Sequence, residues 1–178
     1  GEAALATHYA RRLPVHCTHL IISQPLLPHL WKLGVLGGRT FEVLITRSPL
    51  QLLQKNLDEA LKNHPASPTL GDYRAPAELV LAEQKALAAA QGLYTPHAAL
   101  FATLGSAAKL LPWCRPKVNP TLSRGKALLF PASALARKGV HELAQALQGI
   151  DCTVRVLGRA QETNHPWGSI KVEACPPG

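Results

Sequence analysis

Two hydrophobic rhythms alternate along this chain: short β-branched runs, and longer stretches where leucine and alanine recur every three or four positions. The first run, Thr18-His19-Leu20-Ile21-Ile22-Ser23, predicts a buried strand that stops at Gln24-Pro25. Over 26–36, Leu26, Leu27, Leu30, Trp31 and Leu33 crowd one helical side, and Gly37-Gly38 supplies a helix end. A second strand over 41–46 leads into Ser48-Pro49, a helix start with Ser at the N-cap and Pro in the first turn. Leu50, Leu53, Leu57 and Leu61 then mark an amphipathic helix ending near His64-Pro65, with Lys55, Asp58, Glu59 and Lys62 on its solvated face.

Residues 65–76, rich in Pro, Ser, Gly and Asp, predict a loop. A long Ala- and Leu-rich helix over about 76–91 follows, ended by Gly92. Leu93-Tyr94-Thr95 is a brief strand, Pro96 opens a helix to about 104, and 107–111 is one more short strand. From 112 to 125 the periodicity vanishes among Pro112, Pro116, Asn119, Pro120, Ser123 and Gly125, the strongest boundary signal in the chain. Beyond it come a strand over 126–131, a helix over 140–147, a strand over 152–158 and a third over 169–173. Strands alternating with helices predict an α/β fold with parallel sheets. The expected organisation is a first α/β portion over 1–112, a Pro-rich connector over 113–125 and a second α/β portion over 126–178. So short a second portion cannot cover both faces of a parallel sheet, so the sequence reads as the interior of a longer protein. The residue at position 1 being Gly rather than Met agrees with that.

Composition narrows the classes. An apolar content of 47% over 178 residues suits a globular chain, not a disordered one. No apolar run is long enough to span a membrane, and the first residues lack a basic start and apolar core of a leader, so the chain reads as cytoplasmic. The four cysteines are scattered without C-x-x-C or Cys/His spacing, which gives a metal site no support. The net charge of +8 is carried by single or paired cations, and aromatics are too few, at 5%, for stacking platforms. Nucleic acid is therefore not an expected partner, whereas anionic small ligands suit the charge.

The segment with most chemistry is Leu128-Leu129-Phe130-Pro131-Ala132-Ser133-Ala134-Leu135-Ala136-Arg137-Lys138-Gly139-Val140-His141-Glu142-Leu143. A buried strand ends in small residues, and a loop leads to two adjacent cations where a helix is expected to begin. Helix N-termini attract anions, and open α/β sheets bind ligands beyond the carboxyl ends of their strands. Cations are unfavourable against the helix dipole there, so Arg137 and Lys138 read as a phosphate or diphosphate site rather than as solvated charges.

On these residues the chain resembles the opening of the C-terminal domain of GT-B glycosyltransferases of the glycosyltransferase-4 (group 1) kind. That family has a strand, a Gly-Arg turn and then an Arg-Lys-Gly-like motif before a helix. Lys138 matches the family's diphosphate-contacting Lys, and Arg137 and Gly139 complete the motif. Ser133 stands where the family usually has its first Arg. The run Val154-Arg155-Val156-Leu157-Gly158 is similar to the family's second strand and glycine turn. Upstream, Leu93-Tyr94-Thr95-Pro96-His97-Ala98-Ala99-Leu100 resembles the last strand-turn-helix of the N-terminal domain, which places Thr95 and His97 toward the cleft. His97 is a candidate hydrogen-bond donor or general base, or else caps its helix. The resemblance implies the latter part of an N-terminal Rossmann-like domain and the start of a second. It also implies transfer of a sugar from a nucleotide-diphosphate sugar to an unidentified acceptor, with no other cofactor and no protein base if configuration is retained. The family's glycine-rich loop and its donor-holding Glu pair are not found in this sequence. A non-catalytic α/β module with a degenerate donor site is the alternative that the Ser133 replacement favours.

Other residues read as structural. Asp72 is expected to cap the helix that follows it. Glu78 and Glu83 lie five positions apart on one helix, on different faces, and are no catalytic carboxylate pair. Trp31 and Trp113 read as core or hinge packing.

Overall fold

A computed structural model describes residues 1–112, 125–159, 162 and 166–175. The chain forms mixed α/β structure with two parallel sheets, consistent with a Rossmann-like arrangement. It divides into two compact units, one comprising Gly1–Gln54 and Ala75–Lys117, the other Lys55–Arg74 and Val118–Gly178. Most of the Pro-rich connector expected over 113–125, and with it Trp113, lies outside the described residues.

In the first unit, α1 (Glu2–Arg12) precedes β1 (His19–Ser23), a 3-10 turn (Gln24–Leu26) and α2 (Leu27–Lys32). Then come β2 (Thr40–Leu44), α3 (Leu50–Asn63), which runs on into the second unit's segment, α4 (Ala77–Ala89), β3 (Gly92–Thr95), α5 (Ala98–Leu104) and β4 (Ala108–Leu110). The four strands are parallel and lie in sequence order. The period of two aims Phe41, Val43 and Ile45 into the core, where they meet Ile22, Leu27, Leu30, Ala86 and Leu93. Full burial of such a side chain contributes about 2 kcal/mol by transfer from water. Trp31 packs on that core, edge-on to Phe41 at 6.5 Å. The helix expected over 26–36 is shorter, because Gly34 takes a left-handed φ of +73° and ends it before Gly37-Gly38 is reached.

In the second unit, β5 (Ala127–Phe130), β6 (Thr153–Leu157) and β7 (Lys171–Cys175) form a parallel sheet in sequence order, with α6 (Val140–Ala146) between β5 and β6 in the chain. Val154 and Val156 alternate into a core with Phe130, Val140, Ala144 and Leu147, closed by Trp167 edge-on to Phe130 at 5.8 Å. The last strand begins two residues later than the pattern suggests, since the Ile170 amide is held in a turn by the Trp167 carbonyl. No helix among the described residues is long and apolar enough to cross a membrane.

Candidate functional site

At the carboxyl end of β5 the chain enters a loop that packs on the loop after β6. The Ala134 amide donates to the Arg159 carbonyl (3.0 Å), and the Glu162 amide donates to the Ala134 carbonyl (3.1 Å). Ser133 Oγ accepts from the Arg159 amide at 3.3 Å. Gly158, at φ +123°, lies so close that a Cβ there would meet Ser133 Oγ at 2.8 Å. Only glycine permits that approach. Ser133 is thus engaged in joining two loops.

Arg137 and Lys138 do not open a helix directly. They occupy a 3-10 turn (Ala136–Lys138), and Gly139, left-handed at φ +81°, separates that turn from α6. The amides of Lys138 and Gly139 donate to the carbonyls of Leu135 and Ala136, both at 2.9 Å, so neither points to a ligand. Both cationic side chains are exposed and have no carboxylate partner among the described residues. The Arg137 guanidinium lies over the Tyr73 ring, 4.0 Å from its centroid.

Beneath the turn is a buried polar cluster. Thr69 Oγ1 donates to Glu162 Oε2 at 2.6 Å, and the Ala136 amide donates to both of those oxygens, at 3.0 and 3.2 Å. Burial by itself would raise the Glu162 carboxyl. Hydroxyls of Ser67 and Thr69, the Ala136 amide and the neighbouring His141 outweigh it and hold the carboxyl below its ordinary value. Ser67 Oγ makes no hydrogen bond of good geometry, so the Thr69 and Ala136 bonds are the firm ones. His141 Nε2 stands 3.8 Å from Glu162 Oε1, too far to bond, and its ring stacks on His64 with centroids 4.1 Å apart. No group of His, Cys, Asp and Glu among the described residues is arranged to hold a metal ion.

The first unit has its own features at the carboxyl ends of its strands. Thr95, ending β3, is wholly buried, and its Oγ1 accepts from the His97 amide at 3.2 Å. His97 sits at the N-cap position of α5 without a side-chain cap bond, and is exposed. It lines an open cleft of about 620 Å³ with Pro96, Ala98, Ala99, Leu110, Leu111 and Pro112, and among these described lining residues it carries the polar side chain. At the ends of β1 and β2, Gln24 Oε1 accepts from the amides of Thr46 and Arg47, both at 3.1 Å, and Gln24 Nε2 donates to Glu83 Oε1 at 3.2 Å. The Leu50 amide donates to Glu83 Oε2, so Glu83 caps α3. Burial pushes the Glu83 carboxyl up, and the bonds from Leu50 and Gln24 with the Arg47 charge only partly offset it.

The expected site residues therefore fall into three groups. Ser133 lies with Gly158 and Arg159; Arg137, Lys138 and Gly139 share one turn; Thr95 supports His97. Thr69, Tyr73 and Glu162 were not expected, and no local pattern points to them, since Thr69 and Glu162 are 93 positions apart. Asp72 does not cap α4, whose N-cap is Pro76 without a side-chain bond. Arg74, two positions on, pairs with Asp58 at 2.6 Å. No protein-family model matches the chain, and a search of curated proteins gives no significant match.

Proposed function

We propose that the second unit carries a nucleotide-diphosphate site. On this reading the chain is part of a cytoplasmic GT-B-like glycosyltransferase of the glycosyltransferase-4 kind, which transfers a sugar from a nucleotide-diphosphate donor to an acceptor. One observation carries it: Arg137 and Lys138 stand exposed beyond the carboxyl end of a parallel strand, with no carboxylate partner among the described residues. When the sugar leaves, negative charge collects on the β-phosphate oxygen. A fixed ammonium at Lys138 stabilises that charge more than it stabilises the intact donor, which is what accelerates the step. Arg137, held on Tyr73, contributes field from one side. In the first unit, His97 over its cleft is the candidate hydrogen-bond partner for an acceptor hydroxyl.

A second reading, a non-catalytic α/β binding or scaffold module with a degenerate donor site, is favoured by Ser133. Where the resembled family has an arginine, this side chain holds the loop after β6 and supplies no charge.

Calorimetric titration of the chain with UDP and with GDP, beside Lys138→Ala, tests both. Saturable binding of one nucleotide, weakened about tenfold or more in the variant, supports the site. Binding of neither, or equal binding by the variant, sinks it. Tight binding with no transfer from the matching sugar nucleotide by a longer protein containing this chain selects the module.

A further inference from the structure

The sheet alone does not hold the turn that carries Arg137 and Lys138. Its first amide, that of Ala136, is divided between Thr69 Oγ1 and Glu162 Oε2, and Thr69 is itself bonded to the same carboxylate oxygen. These three groups are buried, so each depends on the other two for its partners. The guanidinium of the next residue, Arg137, lies over the Tyr73 ring, 4.0 Å from its centroid. Thr69 and Tyr73 belong to the same segment, the one that follows α3.

Tyr73 has a backbone conformation that a side chain of its size rarely takes, with φ +67°. Such a residue persists only where its neighbours over-determine it, and strain of this kind gathers where position matters. Two fixed points flank it. Arg74 is tied to Asp58 of α3, and Leu70, one residue past Thr69, is almost wholly buried. The strained tyrosine is thus suspended between them, with its ring against the guanidinium.

We propose that segment 67–74 is a positioning device for an anion site. Thr69 and Tyr73, with Glu162, fix the Arg137–Lys138 turn and thereby set the strength with which it holds a diphosphate group. The inference rests on the nucleotide-diphosphate reading above and deepens it, because the positioning residues touch the turn and not the ligand. A preformed cation pair binds more tightly than one that must be ordered on arrival of the anion.

Inorganic pyrophosphate is the probe, titrated calorimetrically into the whole chain well below the melting temperature of every variant. Thr69→Val keeps shape but loses the hydroxyl; Thr69→Ser keeps the hydroxyl. Tyr73→Leu removes the stack at an exposed position that the core does not need, and Tyr73→Phe retains it. Thr69→Val and Tyr73→Leu are expected to weaken pyrophosphate binding about fivefold to tenfold, while Thr69→Ser and Tyr73→Phe stay within about twofold of the parent. If the parent binds and Lys138→Ala does not, but Tyr73→Leu and Thr69→Val bind as the parent does, the positioning role is overturned and the anion site stands. A lower melting temperature with unchanged affinity overturns it in the same way, because the contacts would then serve folding alone. If the parent itself does not bind pyrophosphate, the anion site fails and the inference falls with it.

Discussion

Gly158 and Ser133 approach more closely than two side-chain-bearing residues can. A methyl at Gly158 would meet not only Ser133 Oγ but also its backbone nitrogen at 3.0 Å and its Cα at 3.2 Å, in a backbone region at φ +123° that other residues avoid. Gly158→Ala is expected to destabilise the protein by about 3 kcal/mol, read by urea unfolding. Adding Ser133→Ala removes one of the three close contacts, so less than half of the loss should return. Full recovery would mean that the hydroxyl, and not the backbone geometry, set the cost. The same contact defines what position 133 does here. It is a joint between loops, and a long cation placed there would have to dislodge the joint before reaching any ligand.

Among the elements, α3 shows how local pattern and distant partner divide the work. Its leucine spacing of three and four makes the helix legible, and Leu50 and Leu57 are buried as that spacing requires. Its cap is not legible, because the acceptor for the Leu50 amide is Glu83, 33 positions away, and not the nearby Ser48. Glu83→Ala leaves that amide and the Gln24 side chain without their acceptor in a buried place. A loss of about 2–4 kcal/mol is expected, measured by thermal unfolding followed by circular dichroism. Glu78, by contrast, is exposed and pairs with Lys32 at 3.8 Å, so Glu78→Ala should change stability little. The parallel strands were legible for the same reason as α3: β-branched runs and period-two burial are local properties. The end of α2 at Gly34, the unanticipated helix α1 and the contacts of Thr69, Tyr73 and Glu162 were not. Glycines at 34, 37 and 38 offer several helix stops, and only packing selects one. Helix α1 buries Ala6 alone, so it carries little of the apolar periodicity that marks a helix in sequence. The ring of Tyr73 meets Arg137 across more than sixty positions of sequence, a pairing that no window of neighbours contains.

At the scale of the whole molecule the two buried carboxylates pull in opposite directions with pH. Glu162 titrates below its unfolded value, so its bonds stabilise the folded state above about pH 4.5, and that contribution is lost as pH falls through its lowered value. Glu83 titrates above its unfolded value; its charged form is the costly one, and acidification through the raised value relieves that cost. Below about pH 4.5 the second unit is therefore expected to loosen before the first. A Trp113→Phe background leaves one indole in each unit, Trp31 and Trp167, to report the two transitions by fluorescence in single-Trp derivatives. Coincident acid transitions would show that other groups dominate.

The second unit is discontinuous: residues 55–74 belong to it, yet residues 75–117 of the first unit intervene before the rest arrives. On a ribosome this order has a temporal meaning. Thr69 and Tyr73 emerge long before Ala136, Arg137 and Glu162 exist to receive them, and the first unit must close its sheet with β3 and β4 while that segment waits. A nascent chain from which residues 1–112 have emerged would therefore present Thr69 and Tyr73 before Ala136, Arg137 and Glu162 have arrived. Until those residues follow, segment 67–74 is open to a chaperone or a protease.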